Sequence, residues 1–401
     1  MSNKRRINDI ILQIVTYGSA LFSLFILSLI LFFVLSKGVR LLNLDLITNN
    51  YLAVNYIAEI DEDNLCLCEN TKDYPEDVYY SNQWGLALTD EIDLLGKTIV
   101  SVYDVHEDSP FQSMINKGVN EDELKLDVNY SIIRIAYNDK PSSLSRYGAK
   151  LMIEELEQTS NIRELEFTTF GGGIRGSLIT TLYLIIFTLM IALPMGVGAA
   201  IYLNEYAKNN RITQWIRSLI ETLTGVPSII YGLMGLAVFV PFIVNITHAT
   251  GGSILSGALT LSVILLPVII RTTEESLKVV PNDLRFASLA LGASKTQTTF
   301  RIILPNAMQG ILTATLLAIG RIIGESAALV FAIGTAIKDD VKLTGQSTSL
   351  AVHIWSMMSD EPANIDLSTT IALIILIIVL FLNISIKFIT KRFMKRQGAI
   401  I

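Results

Sequence analysis

Charge inside an apolar stretch is costly, so ionisable residues there are kept where they act. Arg321 and Glu325 are the clear case in this chain. They stand four residues apart in the apolar run 307–337, a spacing that puts both on one face of a continuous helix. Two readings stand. Arg321 lines a path for an anion, with Glu325 neutralising it while the path is empty; or the two are a fixed ion pair that locks the bundle at a desolvation cost. Gly225-Val226-Pro227-Ser228 is a second candidate, breaking the apolar run 219–244. A broken helix frees N–H groups and a positive dipole end that can receive an anion. Close helix packing through Gly225, Gly232 and Gly235 is the other reading. Arg271-Thr272-Thr273-Glu274-Glu275 ends the apolar run 254–270, as residues of a gate or as a solvated face.

Other chemistries lack their residues. No phosphate loop with Lys before Ser or Thr occurs; Gly171-Gly172-Gly173-Ile174-Arg175-Gly176-Ser177 has the glycines without the lysine and reads as a hinge. No set of nucleophile, base and orienting group is visible. The two cysteines, Cys66 and Cys68, are too close in sequence for an easy unstrained disulfide. With three scattered histidines the pair reads as structural or incidental, with a metal or redox role as the weaker alternative, and no metal site is expected.

The elements that must position these residues follow from composition. Of 401 residues 51% are hydrophobic, which indicates a membrane protein with a water-soluble part. Residues 41–170 hold 25 acidic and 9 basic residues; the remainder holds 12 acidic and 22 basic. An acidic soluble block therefore interrupts a basic membrane body, and the basic residues flank apolar spans rather than a nucleic-acid surface. Lys4, Arg5 and Arg6 precede the first span, within 1–40, and place the N-terminus in the cytoplasm. Further spans are expected near 174–203, 219–244, 254–270, 307–337 and 367–386. Six spans put both termini inside and 41–170 outside. Loop charge agrees: three basic residues in 208–217 and five in 271–301, against two in the outer segment 338–366.

Within the block, 61–80 is acidic and loop-like. From Trp84 onward short alternating stretches predict strands at Gly85–Leu88, Thr98–Tyr103, Ser131–Tyr137 and Ile162–Phe167. A short helix is expected from Ser109 to near Gly118, and an amphipathic one over Leu144–Leu156. That order resembles a PDZ domain over about 83–168, with an acidic insertion at Asn120-Glu121-Asp122-Glu123. The resemblance implies that a partner's extended tail adds as a strand beside Gly85, Leu86, Ala87 and Leu88, against the 144–156 helix. A purely structural domain is the alternative.

The stretch Pro281–Ala328 joins two long apolar segments through a polar amphipathic one. Gly292 falls where a helix needs a left-handed stop, and Pro305 where a new helix would begin. Two short helices with a hinge are expected, followed by a span.

This stretch resembles the cytoplasmic coupling loop (281–305) of ABC-importer permeases: Ala287, Gly292, Ile302, Leu304 and Pro305 match in register. Phe286 stands where that family has Glu, and Ser288 where it has Ala. GVPSIIYGLMGL (225–236), SGALTLSVILLPVIIRTTEESLKVVP (256–281) and GRIIGESAAL (320–329) resemble the phosphate-transport branch, PstA-type permeases, over roughly 175–396 and the first span. The fold implied is an all-α polytopic membrane protein, six transmembrane helices of the ABC type I importer permease fold, with an inserted α+β extracytoplasmic PDZ-like domain. The function implied is the membrane subunit of an ATP-driven inorganic phosphate importer, a transporter subunit and not an enzyme. The resemblance further implies a second permease subunit (PstC-like), a cytoplasmic ATPase dimer (PstB-like) that holds ATP and Mg, and an extracytoplasmic phosphate-binding protein (PstS-like). No cofactor is expected on this chain itself. Arg285, Phe286, Ala287, Leu291, Gly292, Leu304 and Pro305 would meet the ATPase. A permease for molybdate or sulfate, and a PDZ-bearing scaffold without transport, are the alternatives.

Overall fold

A helix that is apolar all round has no face to turn to water. Among the described residues of the computed structural model, six helices are long and apolar enough to cross a membrane: Ile10–Gly38, Arg175–Tyr206, Ser228–Thr247, Ile254–Val279, Lys295–Gly324 and Ile365–Phe388. Each exceeds the roughly 20 residues that cross a bilayer, or reaches it. The structure describes residues 3–60, 66, 68, 72–92, 98–117, 123–128, 130–169, 171–359 and 363–396. It divides into two units, Met1–Ile47 with Ile174–Ile401, and Thr48–Gly173.

The chain opens with α1 (Asn3–Gly38) and a short α2 (Leu44–Thr48). The second unit then forms one mixed-length antiparallel sheet. Its strands are β1 (Asn55–Glu59), β2 (Val78–Ser81), β3 (Leu86–Ile92), β4 (Thr98–Val105), β5 (Met114–Asn116), β6 (Glu123–Leu124), β7 (Ser131–Tyr137), β8 (Ser143–Leu144) and β9 (Ile162–Thr168). The order is β2-β3-β4-β7-β9-β1-β5-β6, with β8 on β7. Helix α3 (Ala149–Glu157) turns Met152, Ile153 and Leu156 inward onto Trp84, Leu86, Leu88, Ile135 and Leu165. The Trp84 indole N–H donates to the Leu156 carbonyl at 3.1 Å, so the polar end of the buried ring is satisfied.

Strands at 131–137 and 162–168 fall where alternation predicts them. The helix expected over 109–118 is corrected: Ser109 caps a single 3-10 turn, Pro110–Gln112, and Met114–Asn116 is a strand paired with β1. Pro110 suits a first turn, but the chain then extends because Met114 and Phe111 fill the sheet core rather than a helix face. The acidic insertion lies outside the described residues except for Glu123.

The membrane unit continues with α4 (Arg175–Ile201), α5 (Arg211–Thr224), α6 (Ser228–Met234), α7 (Val240–Thr247), α8 (Ile254–Val279), α9 (Asn282–Ala290), α10 (Lys295–Thr298), α11 (Leu304–Gly324), α12 (Ala327–Ala332), α13 (Leu350–Ser359) and α14 (Ile365–Arg396). Helix α8 is central: Leu261, Leu265 and Ile269 are buried against α4, α11 and α12. A capping box of Ser253 and Ser256 starts it, and Ser256 Oγ also donates to Ala332 O at 2.8 Å. Ser262 Oγ reaches Thr188 O across to α4 at 3.3 Å. Such small hydroxyl residues let helices approach and bond where lipid gives no hydrophobic drive.

Two expected spans are corrected. The third begins at Ser228, not 219. Arg211–Thr224 is a separate amphipathic helix, because Gln214, Arg217 and Glu221 give it a polar stripe that a lipid interior would not accept. The fifth does not run to 337. Its helix ends at Gly324, Glu325 is extended (φ −80°, ψ 115°), and α12 is a separate short helix.

A buried hydroxyl network ties 347–353 to the start of α4. Ser177 Oγ meets Thr348 Oγ1 at 3.0 Å and His353 Nδ1 at 2.9 Å, and Thr180 meets Ser347 at 2.6 Å. His353 lies outside the six spans and is fully buried. Burial pushes its pKa down to about 4. The unfolded chain takes up the proton near the ordinary value of 6.5, so stability is present above that pH and is lost as pH falls toward the folded value. From pH 7 to pH 5 the loss should be about 2 kcal/mol. Thermal unfolding of the purified chain should show that slope, and His353→Gln should flatten it; an unchanged slope would assign the pH dependence elsewhere.

Candidate functional site

The segment after α8 is built as expected in outline. Pro281 precedes α9, Gly292 takes φ 85°, and Ser294 with Gln297 forms a capping box that starts α10. Pro305 does not start a helix. Lys295–Gly324 is one continuous helix, and the residue that cannot donate is accommodated by a π turn at Thr299–Ile303 just before it. Leu304 is half-buried at that turn.

Around the hinge the side chains separate into a root and a free face. Arg285 is the root. Its guanidinium donates to Glu205 Oε1 at 3.0 Å, Leu277 O at 2.8 Å, Val280 O at 2.6 Å and Asn282 Oδ1 at 3.2 Å. It therefore pins α9 to the ends of α4 and α8 and is not part of an outward-facing contact. The free face carries Phe286, Ala287, Leu289 and Leu291, all exposed, with Leu291 at 89%. Phe286 and Leu289 are three apart and share one side of α9. Large apolar residues grouped on a protruding helix mark an interaction surface.

The Arg271–Glu275 sequence divides by helical face. Thr273 and Glu274 are buried, Thr272 is half-buried, and Arg271 and Glu275 are exposed. Arg271 bonds Glu275 Oε1 (3.3 Å) and Glu221 Oε1 (3.2 Å) on α5; Glu274 takes Arg217 (2.8 Å) from α5 and Lys278 (3.1 Å). Three cations and three carboxylates thus clamp α5 to α8 and line a recess of about 180 Å³. Thr272 faces elsewhere, into a cleft of about 400 Å³ between α8 and α11 with Ser276, Asn306, Gln309 and Thr313. That lining offers hydroxyl and amide groups without a fixed charge, except for Glu275 at its edge.

The break 225–227 lies between α5 and α6, before the span rather than inside it. Pro227 stands just ahead of α6 and Ser228 is its first residue. Tyr231 Oη reaches back over the break to the Leu223 carbonyl at 2.8 Å, satisfying one acceptor that the interrupted helix leaves open. Gly225 is exposed and would tolerate a Cβ, whereas Gly232 and Gly235 are buried against Ala328 and Thr260.

The Arg321–Glu325 pair is corrected. Because α11 ends between them, the i, i+4 face does not exist, and no ion pair joins them among the described residues. Glu325 is buried and accepts the Ala328 backbone N–H at 3.4 Å, capping α12. Arg321 is exposed on α11. The switch reading that relied on the pair falls with it; Arg321 stays available as a separate cation.

The strand-addition slot beside Gly85–Leu88 is corrected as well. Leu86, Ala87 and Leu88 are fully buried, with β4 on one side and the chain's own β2 on the other. No edge is open there; Val78–Ser81 fills it. Sequence reasoning missed β2 because four residues flanked by acidic loop carry little periodicity. It also missed Glu205 and Arg217. The polar stripe of α5 was a signal for Arg217.

Comparison with known proteins fits this arrangement. The family of binding-protein-dependent transport system inner membrane components matches residues 192–398. That is just over half the chain, and the chain belongs to this family: it is a multi-pass membrane subunit of a transport system, not an enzyme. Within the family it resembles PstA permeases. It is 35% identical over 217 residues to the phosphate transport system permease protein PstA of Yersinia pestis, covering 54% of this chain and 72% of that one. It is 40% identical over 200 residues to the probable ABC transporter permease protein YqgI of Bacillus subtilis (strain 168), covering 47% of this chain and 66% of that one. For some curated relatives the match spans only about a third of their own length, 33% and 32%. A chain of the inward-facing MetNI methionine ABC transporter structure aligns with 23% identity and a TM-score of 0.44, covering 55% of this chain and 95% of that one.

Proposed function

We propose that this chain is the membrane subunit of an ATP-driven importer of inorganic phosphate. It forms half of the path and works with a second permease subunit, a cytoplasmic ATPase dimer that binds ATP and Mg, and an extracytoplasmic phosphate-binding protein. The single observation that carries the phosphate assignment is the similarity of the membrane core to relatives named as PstA permeases. The exposed apolar face of α9 supports docking on the ATPase, with Phe286 replacing a charged contact by burial. The distribution of basic residues supports both termini inside and 41–170 outside. The order β3, β4, β7, α3, β9 supports a PDZ-like arrangement in the insert, but with its binding edge filled from within.

In the mechanism, ATP-driven closure of the ATPase dimer moves α9 and its hinge. Arg285 carries that movement to the ends of α4 and α8, and the α5–α8 clamp carries it to the break ahead of α6. The bundle then opens to receive phosphate from the binding protein. Arg321, a cation on the bundle helix α11, attracts the anion into the path.

Uptake by the reconstituted complex tests this. Phosphate with its binding protein should stimulate ATP hydrolysis, while sulfate or molybdate should not. Arg321→Ala should cut phosphate-stimulated hydrolysis by about tenfold, the loss of one charge-assisted contact. Stimulation by sulfate or molybdate instead would move the assignment to another oxyanion. Assembly without any stimulation would favour a scaffold.

A further inference from the structure

Cys66 and Cys68 are joined as a disulfide, the bond that their spacing in sequence argued against. His106, forty residues away, arrives at the same place: one ligand atom from each of Cys66, Cys68 and His106 lies within 4.8 Å of the others. Both cysteines and one of the three histidines of the chain thus converge at one point of the soluble unit. A disulfide has no need of an imidazole beside it.

The convergence is built by backbone. Cys68 N–H donates to Asn82 O at 3.0 Å, and His106 N–H donates to Gly85 O at 2.8 Å. Both ligands are therefore hung on the β2–β3 turn, which Gly85 N–H closes onto Ser81 O at 2.8 Å. Gly85 has φ 61°, and a Cβ there would lie 2.9 Å from His106 Cβ and 3.0 Å from Cys68 Sγ. Only glycine admits both the turn and the close approach of thiol and ring. Cys68 is buried, whereas Cys66 and His106 are half-buried, so the group opens to solvent on one side. Asp108 flanks the ring: its N–H donates to Nδ1 at 3.2 Å, and its carboxylate stands 3.8 Å from the same atom. A cation on Nε2 would move the ring proton to Nδ1, where that carboxylate would accept it, the usual outer partner of a ligating histidine.

We propose that, in the reduced chain, Cys66, Cys68 and His106 form a binding site for a thiophilic closed-shell cation of the Zn²⁺ or Cu⁺ type. Two thiolates and an imidazole are the soft set such ions select, with water completing a four-coordinate Zn²⁺ site. A dithiol reductant breaks the Cys66–Cys68 bond by exchange, giving two thiols while the reductant becomes a disulfide. The thiols release their protons to water as the cation binds. Reoxidation by a disulfide reverses the step and expels the ion, so cation binding reports the redox state outside the bundle.

The test uses the full chain purified in detergent and reduced with a phosphine, with Zn²⁺ titrated against a chromophoric chelator and Co²⁺ as a spectroscopic probe. The reduced chain should take up one equivalent and show thiolate-to-cobalt absorption. The oxidised chain should take up none, which provides a metal-free control without substitution. C66S/C68S should abolish uptake, and His106→Ala should weaken it by at least about tenfold. A reduced chain that binds no more Zn²⁺ than the oxidised chain would overturn the site. Unchanged affinity in His106→Ala would overturn the three-ligand set.

Discussion

Arg285→Ala should cost the membrane unit about 3 kcal/mol of stability and uncouple ATP hydrolysis from uptake. The substitution takes from Glu205, a carboxylate whose side chain is only 9% exposed, its one cationic partner among the described residues, Arg285 at 3.0 Å, and leaves it the neutral Asn204 amide at 2.8 Å. It also strips donors from the carbonyls of Leu277 and Val280 at the end of α8. A lone buried charge is far more harmful than the absence of the pair. The double variant R285A/E205Q should therefore recover much of the lost melting temperature. Arg285→Lys should recover little, since a single ammonium cannot reach acceptors on α4, α8 and α9 together. The functional readout separates anchoring from mere stability. In the double variant the fold returns but α9 is no longer tied to α4, so hydrolysis should stay uncoupled from uptake. Recovered coupling in that variant would reduce Arg285 to a stabilising residue.

Gly232→Ala should have a comparable effect by steric means. The added Cβ would lie 2.7 Å from Ala328 Cα and 2.9 Å from its carbonyl oxygen. Both are backbone atoms, so α6 and α12 must separate, at about 1–3 kcal/mol. Separation also disturbs Glu325, which caps α12, and the Tyr231 bond over the α5–α6 break. Uptake should fall to a small fraction of wild type and detergent-purified protein should unfold at lower temperature. Gly198→Ala is the control, since a Cβ there meets nothing within 4 Å beyond the local backbone of its own helix. Equal behaviour of the two variants would show that the α6–α12 crossing does not matter for activity.

The legibility of this fold in its sequence depends on how local each cause is. The six apolar helices are visible because hydropathy is a property of each segment alone. Ser131–Tyr137 is visible because a short run rich in isoleucine and ending in tyrosine ahead of an Asn-Asp turn reads as a strand by itself, although its buried residues, Ile132 and then Ile135 to Tyr137, do not alternate strictly. Asn55–Glu59 is not, since it is a strand by virtue of pairing with β9, more than a hundred residues away. At the site, Gly292 could be read from backbone sterics, and the free apolar face of α9 from its residues. Arg285 could not: three of its four acceptors are settled by how α4, α8 and α9 meet. Arg321 and Glu325 were misread because a spacing of four implies a shared face only in an unbroken helix. Gly324 and Ser326 on either side of Glu325 were the local warning.

The π turn ahead of Pro305 sets how force travels. From Lys295 to Gly324 the chain is one rod, roughly 45 Å long at 1.5 Å per residue. One extra residue in a turn rotates everything beyond it by about 100° relative to an uninterrupted helix. The side of α10 that follows the hinge is thus not the side of α11 that faces α8. A push at one end reaches the other as torsion as well as tilt. Deleting a single residue within Thr299–Ile303 would keep the rod but re-index its far half, turning Ala314, Ala318 and Ile322 away from the core they now fill.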